Sequence, residues 1–233
     1  MYFRGKNDND QVQQVLYNNY FYFFLLITCG GSRAGDIDKL ISDINTGDLR
    51  TRLSAVEELG RIGDEKSIDL LMNVADTSGE AWKIKIRAIR LLGEIGNAKA
   101  VDLLTKIFND PFLNHECPAI KWNTAIALGN FKSNSRVVDT LINGLQNKDE
   151  ILGTREAVIQ SLGKIGDPKA VPFLITALDD KSFAIKLSAI KALGEIRDPQ
   201  AIPPLKQIVN ADNDPCVKNE ALSALRSFSI KED

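Results

Sequence analysis

Hydrophobic positions recur at helical spacing along most of the chain, and the pattern is itself repeated. Leu59, Leu92, Leu128, Leu162, Leu193 and Leu225 step by 33, 36, 34, 31 and 32 residues, the period of a helix pair. One phrase surrounds four of them: Leu59-Gly60-Arg61-Ile62-Gly63-Asp64, Leu92-Gly93-Glu94-Ile95-Gly96-Asn97, Leu162-Gly163-Lys164-Ile165-Gly166-Asp167 and Leu193-Gly194-Glu195-Ile196-Arg197-Asp198. Leu128-Gly129-Asn130-Phe131 and Leu225-Arg226-Ser227-Phe228 are degenerate copies. Gly63, Gly96 and Gly166 suit the left-handed conformation that closes a helix. Asp64, Asn97, Asp167 and Asp198 are then placed to cap the next helix, with Pro168 and Pro199 at its first position.

Eight residues after the Leu-Gly glycine column come Ile68, Val101, Val137, Val171 and Ile202, which begin the apolar side of an outer helix. The inner helices carry the column Thr51, Ile84, Ile120, Thr154, Ile185 and Val217. Four residues on stand Ala55, Ala88, Thr124, Val158, Ala189 and Ala221. The small side chains there predict that neighbouring helices approach to roughly 8 Å. A single pair cannot bury its own apolar face, so stacking must do it. The expected fold is all-α, a right-handed α-solenoid of about six helix pairs. It occupies residues 36–230, after an apolar segment 1–28 and a short tether 29–35, and before a tail 231–233.

Composition narrows the chemistry. A formal net charge of -2 over 233 residues offers no basic surplus, so no nucleic-acid partner is expected. Cys29, Cys117 and Cys216 contain no Cys-x-x-Cys pair, and His115 is the single histidine. Neither a disulfide framework nor a zinc ribbon is predicted, and no metal or cofactor is expected. Neither a phosphate-binding loop nor a Gly-x-Ser-x-Gly elbow occurs. Adjacency of Cys117 to His115-Glu116 does not make a catalytic dyad, and an enzyme is not expected.

The phrase Leu-Gly-x-Ile-Gly-Asp-Pro-x-Ala-Val, complete at 162–171, has a basic residue eight before its first glycine. It resembles the HEAT repeat of the phycobilisome-lyase type over residues 36–230. The resemblance implies the fold more than the function, since that fold serves scaffolds, bilin lyases, DNA glycosylases and a hydroxylase. The hydroxylase needs four His-Glu pairs, and this chain has one. The resemblance also implies that the second helix of each pair lines a concave surface, where the columns seven and three before the glycine face a groove. These read Leu53, Ile86, Trp122, Glu156, Leu187, Asn219 and Glu57, Arg90, Ile126, Gln160, Lys191, Ser223.

Trp122 and Ile126 then lie beside Trp82 and Arg90, at the longest repeat spacing. Tryptophan and arginine are common interface anchors; the tryptophans could equally fill space beside the connection from Asn109 to Pro118. Leu53, Trp82, Ile86, Arg90, Trp122, Ile126 and Leu187 are the expected partner-binding residues. The expected function is a non-enzymatic scaffold that binds a protein or peptide on its concave face. The alternatives are a cytoplasmic regulatory module and a bilin-lyase-like enzyme.

A cation stands eight before the glycine position in every repeat: Arg52, Lys85, Lys121, Arg155, Lys186 and Lys218. One reading is a stripe that meets phosphates or an acidic partner. The favoured reading is a ladder paired with acids between layers, for which Asp48 and Asp214, four residues before Arg52 and Lys218, are candidates.

Residues 20–28 are too few to span a bilayer as a helix but suit the apolar part of a secretory signal. Leu26-Ile27-Thr28-Cys29-Gly30-Gly31-Ser32 resembles a bacterial lipobox, which implies lipidation of Cys29 and a membrane-tethered protein of the bacterial cell envelope. The other reading is an amphipathic helix over residues 12–27 that covers the end of the stack.

Overall fold

The computed structural model describes residues 33–112, 117–132, 134–147 and 150–228. The predicted leader and Cys29 therefore lie outside the described residues, as do His115 and Glu116. The chain divides into two compact units, Met1–Lys39 and Leu40–Asp233, and the helix stack lies in the second. Twelve α-helices follow one another, with no strand among the described residues. They are α1 (Arg33–Thr46), α2 (Leu49–Ile62), α3 (Glu65–Asp76), α4 (Trp82–Ile95), α5 (Val101–Asn109) and α6 (Pro118–Leu128). Then come α7 (Ser135–Gln146), α8 (Leu152–Ile165), α9 (Val171–Ala177), α10 (Phe183–Ile196), α11 (Ile202–Ala211) and α12 (Pro215–Ser227).

The turn chemistry is as the repeated phrase predicts. Gly63, Gly96 and Gly166 end α2, α4 and α8 at φ 62, 69 and 79, each donating its N–H to the leucine of the phrase. Arg197 takes the same left-handed turn at φ 58 after α10, a conformation that costs an L side chain roughly 1–2 kcal/mol. Asp64 then accepts from the Ser67 N–H, Asn97 from Lys99, Asp167 from Lys169 and Asp198 from Gln200. After Asn97, Asp167 and Asp198 the chain first makes a 3-10 turn, Ala98–Ala100, Pro168–Ala170 and Pro199–Ala201. Its last alanine, rather than the residue after it, is the first to be fully covered. Ile202 is accordingly only half-buried, against the expectation from its column.

The even-numbered helices from α2 to α12 form one layer, each packed on the next. The odd-numbered helices from α3 to α11 form a second layer that touches itself more sparsely and packs on the first. The core runs unbroken between the layers. Leu59, Leu92, Leu128, Leu162 and Leu193 are 0–1% exposed, each burial contributing about 1.5–3 kcal/mol. Ile84, Ile120, Thr154, Ile185 and Val217 are buried, but Thr51, at the head of that column, is exposed.

The small-residue column is buried throughout: Ala55, Ala88, Thr124, Val158, Ala189 and Ala221 are covered core positions. Backbones also come close at the Leu-Gly glycines. A Cβ on Gly93 would lie 2.6 Å from the Ala127 Cα, on Gly163 2.8 Å from the Ala192 Cα, and on Gly194 3.0 Å from the Ala224 Cα. These glycines are therefore dictated by the next layer, which a reading of one helix at a time does not see. In the last repeat the same position is Arg226, and it is exposed.

Candidate functional site

The basic column is a structural ladder, and its partners differ from those predicted. Asp48 and Asp214 cap α2 and α12, accepting from Thr51 and from Cys216 and Val217. Four of the six ladder cations instead reach forward to the acid that precedes the next inner helix. Arg52 meets Glu80 at 2.5 Å, Lys121 meets Glu150 at 2.5 Å, Arg155 meets Asp180 at 2.6 Å and Lys186 meets Asp212 at 3.0 Å.

The two oxygens of each acid divide the work. One takes the cation, while the other accepts a backbone N–H of its own loop: Ala81 for Glu80, Ile151 for Glu150, Ser182 for Asp180 and Asp214 for Asp212. Arg52 also donates through Nε to the Ile44 carbonyl at 2.7 Å. Lys121 is 5% exposed and its ammonium lies 5.1 Å from the centre of the Phe108 ring.

The Asp180 carboxyl, which burial alone would raise, is held below its ordinary value by the Ser182 N–H and the Arg155 guanidinium. Asp212 is lowered by the Asp214 N–H and by Lys186. Four of the six cations are thus engaged between repeats and not offered to phosphates. Lys85 and Lys218 have no acid partner among the described residues. The signal was present in the sequence: an acid stands two or three residues before α4, α8, α10 and α12.

A second ladder runs over the outer layer. Lys99 meets Asp69 at 2.5 Å, and Arg136 and Lys169 pair with Asp102 and Asp139. These side chains are largely exposed, so water and salt screen the pairs and they add little to stability.

The exposed face of the inner layer carries the candidate site. Trp82 and Trp122 are 52% and 43% exposed, so neither is a core side chain. Leu53, Ile86, Ile126 and Leu187 are half-buried, packed against the core while still reaching the surface. Trp82, Ile86 and Arg90 on α4 lie on the helix next to Trp122 and Ile126 on α6. Leu187 belongs to α10, with α8 between it and α6. Of the charges on this face, Glu57 is taken by Arg87, which also reaches Glu94 at 3.4 Å.

Sequence reasoning missed a row of exposed apolar residues. Leu49, Trp82, Leu152 and Phe183 are each the first residue of an inner helix, and each is 44–52% exposed. All stand ten residues before the leucine column, a periodicity present in the chain but distinct from the two groove columns. A sizeable concavity also lies away from Trp122. It is a groove of about 890 Å³ between α8 and α10, where Phe183, Ala184 and Leu187 form the apolar end and Gln160, Lys164 and Lys191 the polar one. Within it Glu156 accepts from Gln160 and Ser188, both at 3.3 Å. A smaller groove of about 290 Å³ between α10 and α12 continues it and shares Lys191 and Glu195.

Among the described residues, no group of three or more His, Cys, Asp and Glu side chains is gathered as a metal would require. No described helix is long and apolar enough to cross a membrane. Cys117, ahead of α6, is half-buried and Cys216 is exposed, both as free thiols.

Stacked helix pairs, a core continuous from repeat to repeat, and a recurrent turn define an α-solenoid repeat protein. The HEAT repeat model matches residues 37–112, 111–182 and 153–226, and the chain belongs to the HEAT-repeat family. Its fold is similar to the complex of CpcE and CpcF of phycocyanin lyase from Nostoc, at 22% identity and a TM-score of 0.57, covering 87% of this chain and 80% of that one. It is also similar to a designed armadillo repeat protein in complex with the peptide (KR)4, at 18% identity and a TM-score of 0.57, covering 82% of this chain and 99% of that one. An engineered protein matches at 18% identity and a TM-score of 0.54, covering 83% and 96%. Comparison with the curated proteins returns no match.

Proposed function

We propose that this HEAT-repeat scaffold is non-enzymatic and holds an extended protein segment against its inner layer. The observation that carries the reading is the row of exposed apolar residues at constant register, Leu49, Trp82, Leu152 and Phe183, with Trp122 one turn into α6. Apolar side chains repeated along a stack offer a ligand the same foothold at each layer, whereas chemistry needs unlike groups converging on one point. A photo-crosslinking side chain at position 122 or 187 should give adducts with a cellular protein, and one at Asn143, exposed on α7 in the other layer, should not. Equal labelling at all three positions, or none at any, would refute it.

The likeness to a phycocyanin lyase complex supports the fold alone. A visible absorbance band in the protein purified from its native host would overturn the scaffold reading in favour of a chromophore-handling one.

The tether is a separate proposal, supported by the lipobox-like run Leu26 to Ser32. Cys29 carries a lipid that holds the scaffold at the cell envelope. Incorporation of labelled palmitate that vanishes in Cys29→Ser is the expected result, and absence of incorporation would leave a cytoplasmic module.

A further inference from the structure

We infer, building on the peptide-binding reading, that the segment held by the inner layer is acidic and apolar rather than basic. The sequence presents mixed charge on this face, and folding sorts it. Glu57 and Glu94 share the one charge of Arg87, Arg61 is paired with Glu58, and four ladder cations with the acids between repeats. Left without an oppositely charged partner among the described residues are Arg90 on α4, Lys164 on α8, Lys191 on α10 and Lys132 beside the groove. Against them stand Glu156, already accepting from Gln160 and Ser188, and Glu195. With the glutamate charge that Arg87 leaves over included, these groups keep one positive charge in excess, although the chain as a whole carries -2.

The positive groups and the apolar ones alternate along the path a ligand would take. Leu187 and Lys191 are one turn apart on α10, and Ile86 and Arg90 one turn apart on α4. These two helices thus offer an apolar contact with a cation beside it. Inner helices spaced by about 8–10 Å correspond to about three residues of extended chain. A segment crossing from α10 to α6 would then place an apolar residue in the Phe183–Leu187 end of the groove and another against Trp122 about six residues away. Carboxylates flanking the first would meet Lys191 and Lys164. A basic segment would meet the same lysines as like charges, which electrostatic complementarity selects against.

The test is selection of random peptides of about twelve residues, long enough to cross four layers, displayed on phage and panned against the full chain. Asp and Glu interleaved with aromatic or aliphatic residues should be enriched. A selected peptide, labelled for fluorescence anisotropy, should bind the parent more weakly as salt is added and bind Lys191→Glu about tenfold more weakly at low salt, while Asn143→Glu on the other layer leaves it unchanged. Circular dichroism of each variant checks that the helices are retained. Enrichment of basic or neutral peptides, or an acidic peptide indifferent to Lys191→Glu, would overturn the charge assignment and leave the binding face standing. Enrichment of nothing would overturn it together with the peptide-binding reading.

Discussion

The Lys121–Glu150 pair gives the sharpest test of how the repeats are joined. Both side chains are almost wholly removed from water, at 7% and 0% exposure, and they meet at 2.5 Å. Glu150→Ala would leave the Lys121 ammonium buried, with the Phe108 ring as its remaining electrostatic support. Removing one partner of a buried pair costs about 3–5 kcal/mol, a large share of the roughly 5–15 kcal/mol that holds a domain folded. At about 1.36 kcal/mol per factor of ten, the folding equilibrium should fall by between about 100-fold and about 5,000-fold.

Urea denaturation followed by helical circular dichroism at neutral pH measures this, and the slope of the transition reports whether the stack still unfolds as one unit. Asp69→Ala removes the nearer of the two acids that meet the exposed outer-layer Lys99 and should cost far less. The double variant Lys121→Met with Glu150→Leu should return to within about 1 kcal/mol of the parent or exceed it, since apolar replacement of a buried pair avoids the desolvation penalty. If Glu150→Ala costs no more than Asp69→Ala, the ladder is a surface feature and the reasoning fails.

Three further outcomes are expected from the packing. Gly93→Ala gains about 1 kcal/mol of helix propensity yet forces a methyl to 2.6 Å from the Ala127 Cα, an overpacking that costs about 1–3 kcal/mol; denaturation should show a net loss. Gly153→Ala, where an added Cβ has nothing within 4 Å, should be neutral or stabilising by up to about 1 kcal/mol in the same assay. Asp180 and Asp212 are both held below their ordinary pKa. Their folded values therefore lie under the unfolded value of about 3.9, so the stability they add is complete above that pH and is lost as pH falls through the folded values. An Asp180→Asn, Asp212→Asn variant should be less stable at neutral pH and show a shallower loss below about pH 4 in thermal melts.

Local signals settle local structure, and the repeated phrase contained nearly all of it. Gly63, Gly96 and Gly166 reverse the chain, and Asp64, Asn97, Asp167 and Asp198 cap the next helical turn, because turns and caps depend on residues within a few positions of one another. The period of the leucine column then required stacking, since one helix pair cannot cover its own apolar face.

Features that depended on contacts between layers were less legible. The Leu-Gly glycines look like part of a turn phrase, yet their reason is the backbone of the next repeat, one layer further along the stack. The cations of the ladder pointed to local acids by helix spacing, and found instead the acids 25 to 29 residues ahead. The candidate face obeys the same rule. Helical register identified Trp82, Ile86, Trp122 and Leu187 as members of the inner layer. Only tertiary packing decided that Arg87 would pair with Glu57 and leave Arg90 without an acid among the described residues, and that a groove would open between α8 and α10. The sequence by itself determined that this is a stack of helix pairs, because periodicity and capping are properties of the chain. The tertiary structure decided which charges and apolar groups remain for a partner, because that depends on what each neighbouring layer has already taken.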